Sequence, residues 1–234
     1  MTEIDMPPEN QNEEIPAELD PAAGAATDAA LASEPVPAPI RKRPKPGERR
    51  IQILHTLAEM LEQPGAERVT TAALAARLKV SEAALYRHFA SKAQMFEGLI
   101  DFIEQSVFTL INQITAQASE TPASASATAA RIVVMLLQFA EKNPGMTRVM
   151  VGDALVFENM RLQQRMNQFF DKIEATLRQV LRGAVAGSTT PTVEMQARAL
   201  ALTAFTAGQL QRYARSGFRR TPTEHLQVIM ALLA

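Results

Sequence analysis

The chain has 234 residues, 24 Lys and Arg against 25 Asp and Glu, and neither cysteine nor tryptophan. This excludes a disulfide framework, a thiolate zinc site and a cysteine nucleophile, and it suits a reducing cytoplasm. The net charge of −1 hides an asymmetry: residues 1–40 hold nine acidic side chains and no basic one, so the remainder sets all 24 basic residues against 16 acidic ones, a balance of +8. A basic body of that kind suits a protein that meets nucleic acid.

Residues 1–40 are rich in Pro, Ala, Glu and Asp and poor in large apolar side chains, so they are expected to stay disordered. The start lacks the basic residues and apolar core of a secretory leader, and no apolar run is expected to be long enough to span a membrane. A basic arm follows, Arg41, Lys42, Arg43 and Lys45 between prolines, then Arg49 and Arg50. It is placed to lie along phosphates or in a minor groove. The expected division is a tail and arm over 1–46, a DNA-binding unit over 47–92 and a helical body over 93–234.

The first helix is expected over about 47–63, with Ile51, Leu54, Ala58 and Leu61 as its apolar stripe and Pro64-Gly65 as its stop. The stretch TTAALAARLKVSEAALYRHFASK at 70–92 then gives two short helical patterns around a tight break. Leu74 and Leu78 form one buried stripe, with Thr70 or Thr71 as its cap; Leu85 and Phe89 form the other, with Ser81 as its cap. Glu82, Ala83, Tyr86 and Arg87 share the opposite, exposed face. Two helices joined in this way make a helix-turn-helix, whose second helix can enter a major groove. Small Ser81 and Ala83 let the backbone approach bases, while Tyr86, His88 and Lys92 are of the right type for phosphates or bases.

Ser91 caps a fourth helix to about 118, apolar at Met95, Phe96, Leu99, Ile100, Ile103, Val107, Leu110, Ile111 and Ile114. The fifth, about 122–142, is apolar on most sides and so is expected at the centre. A short helix at 145–152, a longer one at 156–183, and two more at 191–216 and 222–234 complete an all-α chain without strand alternation. In the seventh, Met160, Arg161, Arg165, Phe169, Phe170, Ile173, Leu177, Val180 and Leu181 are read along the stripe. In the eighth, Ala197, Leu200, Ala201, Ala204, Phe205, Gly208 and Leu210 allow close helix approach. The last two helices carry one more apolar stripe than a monomer needs, which points to a homodimer.

No catalytic pattern is found, and no metal or cofactor is expected. His55, His88 and His225 have no metal-ligand spacing, no phosphate loop or nucleophile elbow occurs, and Asp101, Glu104 and Glu141 have no partner that would tune them. The chain is not expected to be an enzyme.

S-E-A-A-L-Y-R-H-F-A-S-K at 81–92 resembles the signature of the TetR family of DNA-binding regulators, in which Tyr-x-His-Phe ends the recognition helix and Ser-Lys opens the next. Here these are Tyr86, His88, Phe89, Ser91 and Lys92; Lys79 stands where many relatives have glycine. Further segments at 80–92, 95–104, 139–149 and 161–182 resemble the nucleoid occlusion factors of the SlmA type within that family. The resemblance covers roughly 47–234. It implies an all-α TetR-like fold, with an N-terminal helix-turn-helix unit joined through the long fourth helix to a helical dimerisation domain. It also implies a nucleoid-associated homodimer on palindromic DNA, with side-by-side dimers left open, that antagonises the division protein FtsZ and keeps the septum off the nucleoid. By the same resemblance, the FtsZ tail would meet Phe102, Ser106, Leu110, Lys142 and Asn143. Leu110 and Gln138 depart from the arginine and the small residue expected there. The alternative is a ligand-responsive TetR-type repressor with its pocket within 101–234.

Overall fold

The structure, a computed structural model, describes residues 47–63, 68–118, 121–185 and 187–233. The acidic stretch, the basic arm at 41–46 and the Pro64-Gly65 stop lie outside them. Nine α-helices occur among the described residues: α1 Glu48–Glu62, α2 Thr71–Arg77, α3 Glu82–Tyr86, α4 Lys92–Ala116, α5 Pro122–Lys142, α6 Pro144–Met150, α7 Met160–Leu181, α8 Pro191–Arg215 and α9 Leu226–Leu233. The all-α expectation holds.

α1 buries Ile53, Leu54, Leu57, Ala58 and Leu61. Ile51, expected in that stripe, is 49% exposed, because the buried face begins two residues later. The Thr70, Ser81 and Ser91 side chains cap α2, α3 and α4, each accepting the backbone N–H three residues on. These caps satisfy donors that a helix start leaves unpaired. α2 closes on Lys79 at φ 55, with Val80 N–H to Ala75 C=O at 3.0 Å and Lys79 N–H to Ala76 C=O at 3.0 Å. This is a Schellman turn with lysine where glycine is usual. It swings the chain from Leu74 and Ala75, buried on α2, to Leu85 and Phe89, buried on the second pattern.

α4 buries Met95, Phe96, Leu99, Ile100, Ile103, Val107 and Ile111, while Leu110 and Ile114 are half-buried. α5 packs between α4, α7 and α8. By length and composition Ala123–Lys142 could cross a membrane, contrary to the sequence expectation. Its Ile132, Val133, Leu136 and Leu137 are instead fully buried among these helices, so its apolarity serves the core.

α6 lies against α1 through Gly145. A Cβ there would stand 1.8 Å from the Ala58 carbonyl oxygen, so only glycine permits this approach. α7 begins at Met160, about a turn later than expected. Gly152 at φ 84 opens a 3-10 turn over Asp153–Leu155, and Asn159 then caps α7 by accepting the Arg161 N–H at 2.9 Å. Its buried stripe is Leu162, Met166, Phe169, Ile173, Leu177 and Leu181; Met160 and Arg161, read along that stripe, are exposed. Arg165 bonds Asp101 at 2.7 Å and lies 3.5 Å from Glu104, which also pairs with Lys172, so charges tie α7 to α4.

α8 resolves into two faces. Ala199, Leu202, Thr206, Leu210 and Tyr213 are buried against the core. Ala197, Leu200, Ala201, Ala204 and Gly208 line up on an exposed face, and Val193 on α8 and Val228 on α9 are exposed as well. Most of the stripe read from sequence is therefore the outward one.

Two substitutions test this account. Lys79→Gly removes a left-handed side chain and raises unfolding stability by about 1 kcal/mol. Gly145→Ala pushes α6 off α1 and costs about 3 kcal/mol. Urea denaturation measures both; an unchanged midpoint for Gly145→Ala would refute the close approach.

Candidate nucleic-acid interface

The reading surface grows from the two capped helices. Thr70, Ser81, Glu82, Ala83, Tyr86, Arg87 and His88 are all exposed, and Thr71 is half-buried between α2 and α3. The Thr71 hydroxyl donates to Glu82 Oε2 at 2.6 Å, which fixes the start of α3 against α2. Tyr86 is 44% exposed, an aromatic hydroxyl held outward by the burial of Leu85 beside it. α3 itself spans only Glu82–Tyr86; Arg87 is its C-cap and His88 N–H turns back to the Leu85 carbonyl at 2.9 Å. The short helix brings Ser81 to His88 within about two turns, the length that fits side by side in a major groove.

Lys92, expected at a phosphate, has partners within the protein. Its ammonium pairs with Glu158 in the turn before α7 and stands 5.6 Å over the Phe96 ring. The pair is partly buried, so this charge is neutralised within the protein. Arg50, read as part of the basic arm, is likewise engaged. It donates to the His88 carbonyl at 3.0 Å and lies 4.2 Å over the Phe89 ring. It clamps the end of the reading pattern onto α1. Nothing local in the sequence announces either contact, since the partners are 66 and 38 residues apart.

The second set of candidate residues lies along α4 and the end of α5. Phe102, Ser106 and Leu110 follow one another at four-residue steps and are all half-buried. The Phe102 ring meets His55 of α1 edge-on at 5.3 Å between centroids, and Phe102 packs against the core. Lys142 is exposed, and the Asn143 side-chain amide donates to the Phe139 carbonyl at 2.7 Å.

The carboxylates singled out in the sequence find structural partners. Asp101 and Glu104 hold Arg165, whose pKa is raised chiefly by its hydrogen bond to Asp101. Glu141 accepts the Thr223 hydroxyl at 2.5 Å, and its carbonyl accepts the Tyr213 hydroxyl at 3.2 Å. Burial, then the charges of Glu141 and Glu62, raises the Tyr213 pKa. The Glu194 carboxylate at the start of α8 is lowered, first by a hydrogen bond from Ser188. No group of three or more His, Asp or Glu among the described residues is arranged to hold a metal.

Residues 53–99 match the family model for the N-terminal domain of bacterial regulatory proteins of the TetR family, and residues 126–234 match the tetracycline-repressor-like C-terminal domain of SlmA-like proteins. The chain is 48% identical over 194 residues to the nucleoid occlusion factor SlmA of Vibrio vulnificus, covering 81% of this chain and 96% of that protein. It is 50% identical over 193 residues to that of Photobacterium profundum, again covering 81% and 96%. The chain belongs to the SlmA family of nucleoid occlusion factors. SlmA-type chains are TetR-family DNA-binding proteins and not enzymes, and this chain is one of them. The fold is also that of the fatty acid degradation regulator FadR from Bacillus halodurans, with a TM-score of 0.66 at 13% identity over 81% of this chain and 96% of that one. A TetR-family regulator, PfmR of Thermus thermophilus, gives a TM-score of 0.63 at 19% identity over 78% and 96%.

The Lys92–Glu158 pair has a testable consequence for a SlmA-type reader. Glu158→Gln frees the Lys92 ammonium for a phosphate. Operator affinity then rises and the slope of log affinity against log salt steepens by about one for each protomer. Fluorescence anisotropy across a salt series measures this, and an unchanged slope would place Lys92 away from DNA.

Proposed function

We propose that the chain acts as a homodimer on palindromic chromosomal sites and, while bound, antagonises FtsZ ring assembly, so that no septum forms over the nucleoid. The observation that carries this reading is the extent of the likeness. The likeness to SlmA proteins is 48% identity over 194 residues, and residues 126–234 match the SlmA-like C-terminal model, whereas the solved regulators share only the fold.

Three features support the parts of the proposal. The exposed stripe of Ala197, Leu200, Ala201, Ala204 and Gly208, with Val228 on α9, suits a four-helix contact across a two-fold axis. Such an axis would present two reading helices to two half-sites. The Phe102, Ser106 and Leu110 face with Lys142 and Asn143 offers an aromatic side chain and an exposed cation, which suit an apolar, acidic tail peptide of FtsZ. The interior hollow between α5, α7, α8 and α9, beside Ala129, Leu181 and Met230, holds only about 10 Å³. That is about the room of one water, so no effector fits between these four helices.

The test is FtsZ polymerisation with GTP, followed by light scattering and co-sedimentation, with the chain alone and with palindromic DNA. DNA-bound protein is expected to disassemble or misalign the polymers. Phe102→Ala with Lys142→Glu is expected to weaken that effect by about tenfold while leaving operator affinity unchanged. Polymers indifferent to the DNA-bound protein would refute the proposal, and a small molecule that strips the chain from DNA would establish the repressor reading instead.

A further inference from the structure

The turn after α8 is built unusually. α8 ends in a Schellman turn, with Phe218 N–H to the Tyr213 carbonyl and Gly217 N–H to the Ala214 carbonyl, both at 3.0 Å. Gly217 takes the left-handed position, as such turns favour. Phe218 is also left-handed at φ 61, and His225 at the other end of the segment is left-handed at φ 57. A non-glycine side chain in this region is strained. The Phe218 strain is held by contacts: its ring meets Tyr213 edge-on at 5.1 Å, and the Arg148 guanidinium lies 5.1 Å over its face. The Ser216 hydroxyl accepts both the Arg219 and the Arg220 N–H, so the two arginines leave the turn from a fixed backbone.

Arg219 Nε donates to the Ser216 carbonyl at 3.0 Å, and Arg219 and Arg220 line an open cavity of about 560 Å³ with Arg212, Thr221, Glu224 and His225. Arg215, Arg219 and Arg220 are exposed and have no carboxylate partner among the described residues. Arg212 shares the nearby Glu224, at 3.6 Å, with His225 at 3.7 Å. The same turn also borders an open cavity of about 590 Å³ between the end of α1, α6, the 3-10 turn and the end of α8. Its apolar lining comes from Val156, Phe157 and Phe218, and its cations from Arg148 and Arg215; Glu62 and Asp153 line it too. Phe157 is 67% exposed and Val156 59%, unusual for side chains of that size in one short loop.

We infer that this cavity and the arginine turn together form a docking surface for an acidic peptide segment of a partner protein. An apolar side chain of the segment sits on Phe157 and Val156, and its carboxylates reach Arg215, Arg219 and Arg220. Guanidinium groups suit planar carboxylates through paired N–H donors. Two observations favour a polypeptide over a duplex. Phosphates gain nothing from an apolar floor. The surface also lies at the far end of α1 from Arg50, which holds the recognition segment, and twelve residues of helix span about 18 Å. None of these residues belongs to the reading surface or to the α4–α5 face, so the inference stands apart from the FtsZ reading.

The experiment uses the full chain and a fluorescein-labelled synthetic peptide of alternating aspartates around a central phenylalanine. Anisotropy is read for the unmodified chain, for Arg219→Gln with Arg220→Gln, and for Phe157→Ala; a palindromic duplex is titrated in parallel. Circular dichroism confirms that each variant is folded. Peptide affinity is expected to fall about tenfold in the double variant and severalfold in Phe157→Ala, with duplex affinity unchanged. Equal peptide binding by all three chains, or no binding by any, overturns the inference. A loss of duplex affinity in the double variant with peptide binding intact also overturns it and makes the turn a phosphate contact.

Discussion

The approach of Gly145 to the Ala58 carbonyl sets where the reading helix stands on the body of the protein. α1 is the element between them. On one side its backbone is met by α6 at a distance no side chain allows. On the other its Arg50 holds the His88 carbonyl and the Phe89 ring, at the end of the recognition segment. The helix-turn-helix is therefore not a separate bead on a flexible joint. A displacement of α6 must move α1, and with it Tyr86, Arg87 and His88. In a two-fold dimer such a shift changes the spacing of two reading helices, which have to match two half-sites at once.

Much of the basic character is spent inside this arrangement. Lys92 is paired with Glu158, Arg165 and Lys172 are divided between Asp101 and Glu104, and Arg50 lies over an aromatic face. A balance of +8 outside the first forty residues overstates what is free to meet DNA. Partly buried pairs fix register more than they add stability, because desolvation offsets much of the attraction. Their effect here is to fasten α4 to α7 and to the turn before it.

The local chemistry of the fold was legible in the sequence, and its long-range chemistry was not. Thr70, Ser81 and Ser91 each stand before an apolar stripe, and each caps a helix. Lys79 stands where many relatives have glycine, and it is left-handed. These signals act within four residues, so spacing reveals them. α7 starts about a turn later than the pattern predicts because Gly152 opens a 3-10 turn first, which leaves Val156, Phe157 and Met160 exposed. On α8 alanines and leucines occur on both sides, and periodicity alone cannot say which side meets the core. The partners of Arg50 and Lys92 carry no mark in the sequence, because they lie 38 and 66 residues along the chain.

The ends of α2 and α8 show how one turn can serve two purposes. Both close with the same pair of backbone bonds, at 3.0 Å each. At α2 the residue after the turn, Val80, is half-buried, and the chain enters the reading helix at once; the left-handed lysine costs about 1–2 kcal/mol where glycine would not. At α8 glycine takes that position, yet the next residue, Phe218, is left-handed too. A turn that needed only to stop a helix would have ended at Gly217. The added strain is held by an aromatic contact and a cation, and the result is two arginines displayed on a rigid backbone beside an apolar hollow. Backbone strain persists only where surrounding contacts over-determine it. At this position those contacts shape a surface at the far end of α1 from Arg50 and the recognition segment.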